Sequence, residues 1–142
     1  NDTPKYEGNG GNEKFSSRVQ SVVDIDGTAT FIDKGNIEKE IKGPWNTNTT
    51  LTGFTYAENP EIWKEASPIE QVTAKSAPTL FLNSSSFRPN QQREEMLAKL
   101  VALGIKSELI VVPDTPHPFW LFRPWFDTTV ENIDQFFKKT LK

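Results

Sequence analysis

His117 is the only histidine among the 142 residues, and it sits where acid–base chemistry is often placed. The local sequence is Pro113-Asp114-Thr115-Pro116-His117-Pro118-Phe119-Trp120, directly after the apolar run Leu109-Ile110-Val111-Val112. An imidazole can carry protons near neutral pH, and a loop at a strand end gives it a fixed direction. A lone imidazole presented this way is how many α/β enzymes hold a general base. The competing explanation is a histidine merely packed in a Pro-rich surface loop. No Gly-x-Ser-x-Gly elbow occurs in the sequence, so the nucleophile for such a base is expected outside this chain.

The elements that must position His117 follow from periodicity. Residues 18–25 are β-branched and nearly continuous in apolar character, which predicts a buried strand of a parallel sheet ending at Asp26-Gly27. From residue 28 to about residue 56 the periodicity collapses. Gly35, Gly43, Pro44, Gly53 and an Asn/Thr tract mark an irregular insertion, with a short helix expected near residues 37–41. Such a stretch is a lid or binding loop, or else a plain surface loop. Residues 60–66 read as a short helix closed by Ser67-Pro68. A second buried strand is expected at residues 78–82, with residues 83–89 as its loop.

Asn90 can cap the next helix, whose apolar face is Met96, Leu97, Leu100, Val101 and Leu103, with Gly104 just past its end. The third strand is expected at residues 107–112. A last helix starts at about residue 127. Thr128 and Glu131 have capping-box spacing, Val130, Ile133, Phe137 and Leu141 would share one face, and Lys138, Lys139 and Lys142 oppose the helix dipole. Strands alternating with helices predict an α/β fold with a parallel sheet and right-handed crossovers. Three strands buried on both faces make a thin sheet. Neighbouring strands are therefore expected from a preceding segment, and the polar, Gly/Asn-rich opening at Asn1 reads as an internal loop.

Composition narrows the function classes. The length suits one domain. No apolar run approaches the roughly 20 residues of a membrane span. A net charge of −3 gives no reason to expect nucleic acid or anionic lipid as a partner. The lack of cysteine excludes disulfides and thiolate metal sites, and a single histidine argues against a His-rich zinc site. No cofactor is expected.

Several motifs together resemble the C-terminal half of an α/β-hydrolase of the esterase/lipase type, similar to bacterial carbohydrate esterases that deacylate plant polysaccharides. They are Glu7-Gly8-Asn9-Gly10-Gly11-Asn12, Ser16-Ser17-Arg18-Val19-Gln20, Val22-Val23-Asp24-Ile25-Asp26-Gly27, Ala66-Ser67-Pro68-Ile69, Pro116-His117-Pro118-Phe119-Trp120 and Pro124-Trp125-Phe126-Asp127. Each is moderately specific alone, and their order and spacing are the stronger signal. The resemblance implies the C-terminal part of a doubly wound, mostly parallel sheet, residues 1–142 forming a portion of one domain with a lid-like insertion at about residues 35–56. It implies a Ser-His-acid triad with His117 as the base. The serine elbow would lie on a separate N-terminal half, the expected partner of this chain. The expected activity is hydrolysis of carboxylic esters, most simply acetyl esters of xylan or pectin, by a secreted or periplasmic bacterial enzyme. A non-catalytic carbohydrate-binding or interaction module of the same fold is the alternative.

The acid departs from the family's pattern. Relatives place an Asp in the loop after the second strand, whereas this chain has Asn83-Ser84-Ser85-Ser86-Phe87-Arg88-Pro89. Either the triad is reduced to a dyad or another carboxylate orients the imidazole. Asp114 is one candidate, and Glu94 and Glu95 are weaker ones. Asp24 and Asp26 can stabilise a loop or face the site. Among the aromatic residues around His117, Trp120 and Phe119 are expected to meet substrate, because aromatic faces stack on sugar C–H surfaces and wall acyl pockets. The others in that cluster are expected in the core. Arg88 can hold a uronate carboxylate, as can Arg123.

Overall fold

The computed structural model describes residues 3–38, 47–85 and 91–141. Three parallel strands form one sheet in the order β1 (Val22–Ile25), β2 (Thr79–Ser84), β3 (Glu108–Val112). Val22 stands opposite Thr79, and Leu82 stands opposite Ile110. β1 is shorter than its apolar run because the ladder begins at that Val22–Thr79 pair, which leaves residues 18–21 beyond the end of β2. β2 runs two residues further than its apolar stretch because Asn83 and Ser84 pair with Val111 and Val112. All six residues of β2 are buried. That is why this strand reads as a continuous run rather than an alternation.

Five α-helices are described: α1 (Lys34–Glu38), α2 (Thr47–Thr52), α3 (Pro60–Ala66), α4 (Gln91–Ala102) and α5 (Trp125–Thr140). α1 begins three residues before the helix expected at 37–41, whose last residues lie outside the described ones. α3 falls where its sequence puts it. The Asn59 side chain accepts the Ile62 N–H at 3.2 Å and Pro60 occupies the first turn. Buried Trp63 donates its indole N–H to the Phe54 carbonyl at 2.8 Å, tying the end of the irregular segment to α3. Ser67 Oγ accepts the Phe31 N–H at 2.9 Å and donates to the Trp63 carbonyl at 2.8 Å, tying its beginning to the same place. Lys5 and then Tyr6 hydrogen-bond the Glu65 carboxylate and hold it below the usual carboxylate range. This contact lays the N-terminal segment on α3.

α4 ends as expected. Gly104 is left-handed at φ 74°, its N–H donates to the Val101 carbonyl, and Ile105 N–H donates to the Leu100 carbonyl. The Asn90 cap lies outside the described residues. The buried face of α4 is narrower than expected and includes a charge. Leu100 and Arg93 are buried, Met96 and Leu97 are half-buried, and Val101 and Leu103 are exposed. Arg93 Nε donates to Asn83 Oδ1 at 3.3 Å, which places α4 on the sheet face that carries Asn83.

The last helix differs more. It starts at Trp125 with Pro124 as its cap residue, so Thr128 lies inside the helix and makes no capping box. Its buried residues are Thr129 and Phe136, with Ile133 and Phe137 half-buried, while Val130 is 47% exposed and Leu141 also faces outward. The face is turned because Phe136 joins Leu80, Leu82, Val112 and Phe119 in the core cluster. No described helix is long and apolar enough to cross a membrane. This register makes a prediction for unfolding midpoints in urea. Phe136→Ala should destabilise the protein by about 3–5 kcal/mol, and Val130→Ala by less than about 1 kcal/mol. The reverse order would place the face where the sequence pattern does.

Candidate active site

The site begins where β1 stops. Asp26 N–H donates to the Leu82 carbonyl at 2.9 Å and adds one more rung to the ladder. The Asp26 backbone then turns left-handed at φ 51°, a conformation Asp tolerates better than most residues. Asp24 Oδ1 accepts the Gly27 N–H at 2.6 Å and closes the turn. A Cβ on residue 27 would run into the Asp24 carboxylate, so a side chain there would displace that carboxylate from the turn.

This turn directs the Asp26 carboxylate inward. It is fully buried, and both its oxygens are bonded. Oδ1 accepts the Ser84 N–H at 2.6 Å, and Oδ2 lies 2.9 Å from His117 Nδ1. A carboxylate only accepts, so the pairing assigns the proton to Nδ1. Nε2, on the far side of the ring, is then the nitrogen suited to accept a proton. The His117 side chain is 31% exposed, enough for an approaching group to reach it. Trp120 meets the imidazole edge-on at 5.0 Å, and Phe119 meets Trp120 in the same manner at 5.4 Å. The buried carboxylate and the oriented imidazole form an acid–base pair with an aromatic wall beside it. They can hold a proton taken from a hydroxyl while the carboxylate stabilises the imidazolium.

Among the described residues, the carboxylate that meets His117 is that of Asp26, and Asp114, Glu94 and Glu95 lie elsewhere. Asp114 is exposed in the turn after β3, with its own backbone left-handed at φ 55°. Glu94 and Glu95 are exposed on α4, and Glu95 Oε1 accepts from Gln91 Nε2 at 2.9 Å. The two aspartates at the end of β1 divide the roles open to them: Asp24 stabilises the turn and Asp26 faces the imidazole. Phe119 lies in the core rather than on the site's surface. It is fully buried in the core cluster, so it supports the histidine loop and offers no surface to a substrate. Trp120 is half-buried beside His117. Arg88 lies outside the described residues, and Arg123 is exposed, near Asp127 at 3.7 Å. The available signal for Asp26 was the Asp-Gly ending of a buried strand adjacent to an acid-free loop. That signal cannot separate Asp26 from Asp24.

Known proteins with similar sequences or folds place the chain. No curated protein matches it by sequence. Among solved structures, the thermophilic esterase Est2 of the Planctomycetes species Thermogutta terrifontis, with butyrate bound, aligns over 96% of this chain and 49% of its own, at TM-score 0.70 and 15% identity. The native form of that esterase aligns at TM-score 0.66 and 15% identity, with 96% and 48% covered. A truncated form of a carbohydrate esterase from gut microbiota aligns at TM-score 0.68 and 21% identity, with 92% and 46% covered. The chain thus spans about half the length of these esterases. The family model BD-FAE matches residues 1–100. The parallel strand order, the half-length alignment and this match agree: the chain belongs to the BD-FAE family and carries part of an α/β-hydrolase fold.

Proposed function

We propose that this chain supplies the base and acid of a serine carboxylic ester hydrolase, with the serine contributed by a segment outside it. The single observation that carries the reading is the 2.9 Å contact between His117 Nδ1 and the buried Asp26 carboxylate. Membership of the BD-FAE family and the fold shared with two esterases support it. His117 takes the proton of the serine hydroxyl through Nε2 as the oxygen attacks the ester carbonyl. It returns that proton to the leaving alcohol, then repeats the cycle with water to release the acid. Asp26 keeps the imidazole in the productive tautomer and balances its positive charge. The oxyanion donors belong with the serine elbow.

The substrate class is acylated plant carbohydrate, most simply acetyl esters of xylan or pectin. Support comes from the carbohydrate esterase among the structural neighbours and from half-buried Trp120 against the imidazole, where an aromatic face can meet sugar C–H groups. Arg88 is a candidate contact for a uronate carboxylate. The lid-like insertion expected at about residues 35–56 lies partly outside the described residues, and the Trp63–Phe54 bond ties its end to α3. Polymeric substrates place the enzyme outside the cytoplasm. The reading as a non-catalytic module leaned on the acid-free loop after β2, and a carboxylate arriving from β1 removes that support.

Two variants test the reading in the assembled enzyme, with hydrolysis of an aryl acetate as the assay. His117→Ala should lower kcat by a factor on the order of 10⁴ or more. Turnover unaffected by this change would end the proposal. Asp26→Asn keeps the shape but presents an amide that can donate to Nδ1 and so favours the wrong tautomer. It should cost roughly 10²–10⁴-fold in kcat with KM little changed, whereas Asp114→Asn should stay close to the unsubstituted enzyme.

A further inference from the structure

Between the acid-bearing turn and the histidine loop lies the turn after β2, and it bonds to both. Ser84 gives its N–H to Asp26 Oδ1. The next residue, Ser85, is joined twice to Thr115. Ser85 N–H donates to Thr115 Oγ1 at 3.0 Å, and Thr115 N–H donates to Ser85 Oγ at 3.1 Å. The threonine hydroxyl then donates to the Val112 carbonyl at 2.6 Å, at the end of β3. Thr115 is 1% exposed. Its hydroxyl thus accepts one bond and donates another in a site shielded from water, where a missing partner is costly.

We infer that Thr115 and Ser85 are positioning residues, a reciprocal clip that holds the His117 loop at hydrogen-bonding distance from Asp26. The inference rests on the reading of His117 as the base. The loop from Val112 to Phe119 has both ends in the core cluster, but its middle reverses through the left-handed Asp114. Thr115 is two residues from His117, so the clip fixes the segment whose placement sets the Nδ1–Oδ2 distance. Ser84, the last residue of β2, fixes the carboxylate from the adjoining strand end. One short segment, Ser84-Ser85, therefore references the acid and the base to each other. The loop after β2 has no carboxylate among its described residues, yet it governs the geometry of the pair.

The test compares Thr115→Val, Thr115→Ser, Ser85→Ala and His117→Ala in the assembled enzyme, reading kcat, KM and Tm. Thr115→Val keeps the volume and removes the hydroxyl. It should lower kcat roughly 10–100-fold, the scale expected when a reacting group shifts by about an ångström. KM should stay within about twofold, because binding is not the step affected. Thr115→Ser should restore kcat. Ser85→Ala, at an exposed position, should lower kcat by a smaller factor with Tm unchanged, and it decides the matter if Thr115→Val does not fold. Normal kcat in Thr115→Val and Ser85→Ala, with His117→Ala inactive, would overturn the clip and leave the base reading intact. A Thr115→Ser variant as slow as Thr115→Val would also overturn it, since the hydroxyl would then not be the cause. An active His117→Ala would remove both readings.

Discussion

A carboxylate buried without exposure, as that of Asp26 is, tolerates few surroundings. Removing a carboxylate from water is expensive, and the cost is offset only if its oxygens find donors in good geometry. Here those donors come from the backbone of a neighbouring strand and from an imidazole in the loop after the third. The parallel pairing of β1, β2 and β3 brings the three groups to one sheet edge. The left-handed turn at Asp26 aims the carboxylate across that edge rather than out of it. Changing the register of any strand pair by one residue would flip the side chains and strand the charge.

The three strands divide the work in a way their sequences only partly suggest. β2 is the buried centre, and its loop contributes backbone N–H groups and hydroxyls rather than a carboxylate. The turn after β1 contributes the Asp26 carboxylate, and the loop after β3 carries the His117 imidazole. Neighbouring parallel strands end side by side, so a carboxylate leaving β1 can reach an imidazole in the loop after β3. Asn83, at the place where β2 runs out, is held by the buried guanidinium of Arg93, so this strand end is still polar and hydrogen-bonded.

The aromatic density around His117 also has two physical roles. Phe119 joins Phe136, Leu80, Leu82 and Val112, so the histidine loop is anchored by the same cluster that seats α5 on the sheet. Trp120, the next residue, turns toward the imidazole. Adjacent residues in a tight turn point in different directions, which lets one ring hold the loop and the next shape the pocket.

The α/β class, the strand centres, α3, the Gly104 ending of α4 and the singular position of His117 were all legible in the sequence. Each depends on local signals: an apolar run, a cap residue, a helix-ending glycine, one imidazole in a strand-end loop. The carboxylate that meets His117 was not legible, because Asp26 and His117 are 91 residues apart and nothing local distinguishes a buried aspartate from an exposed one. Asp24 and Asp26 look alike until the turn sends one to the Gly27 N–H and the other into the sheet edge. The buried faces of α4 and α5 were misplaced for the same reason. Periodicity names the apolar residues, but which of them is covered depends on where the sheet lies. Tertiary structure made those choices, because burial and hydrogen bonding of a charge are properties of several segments at once.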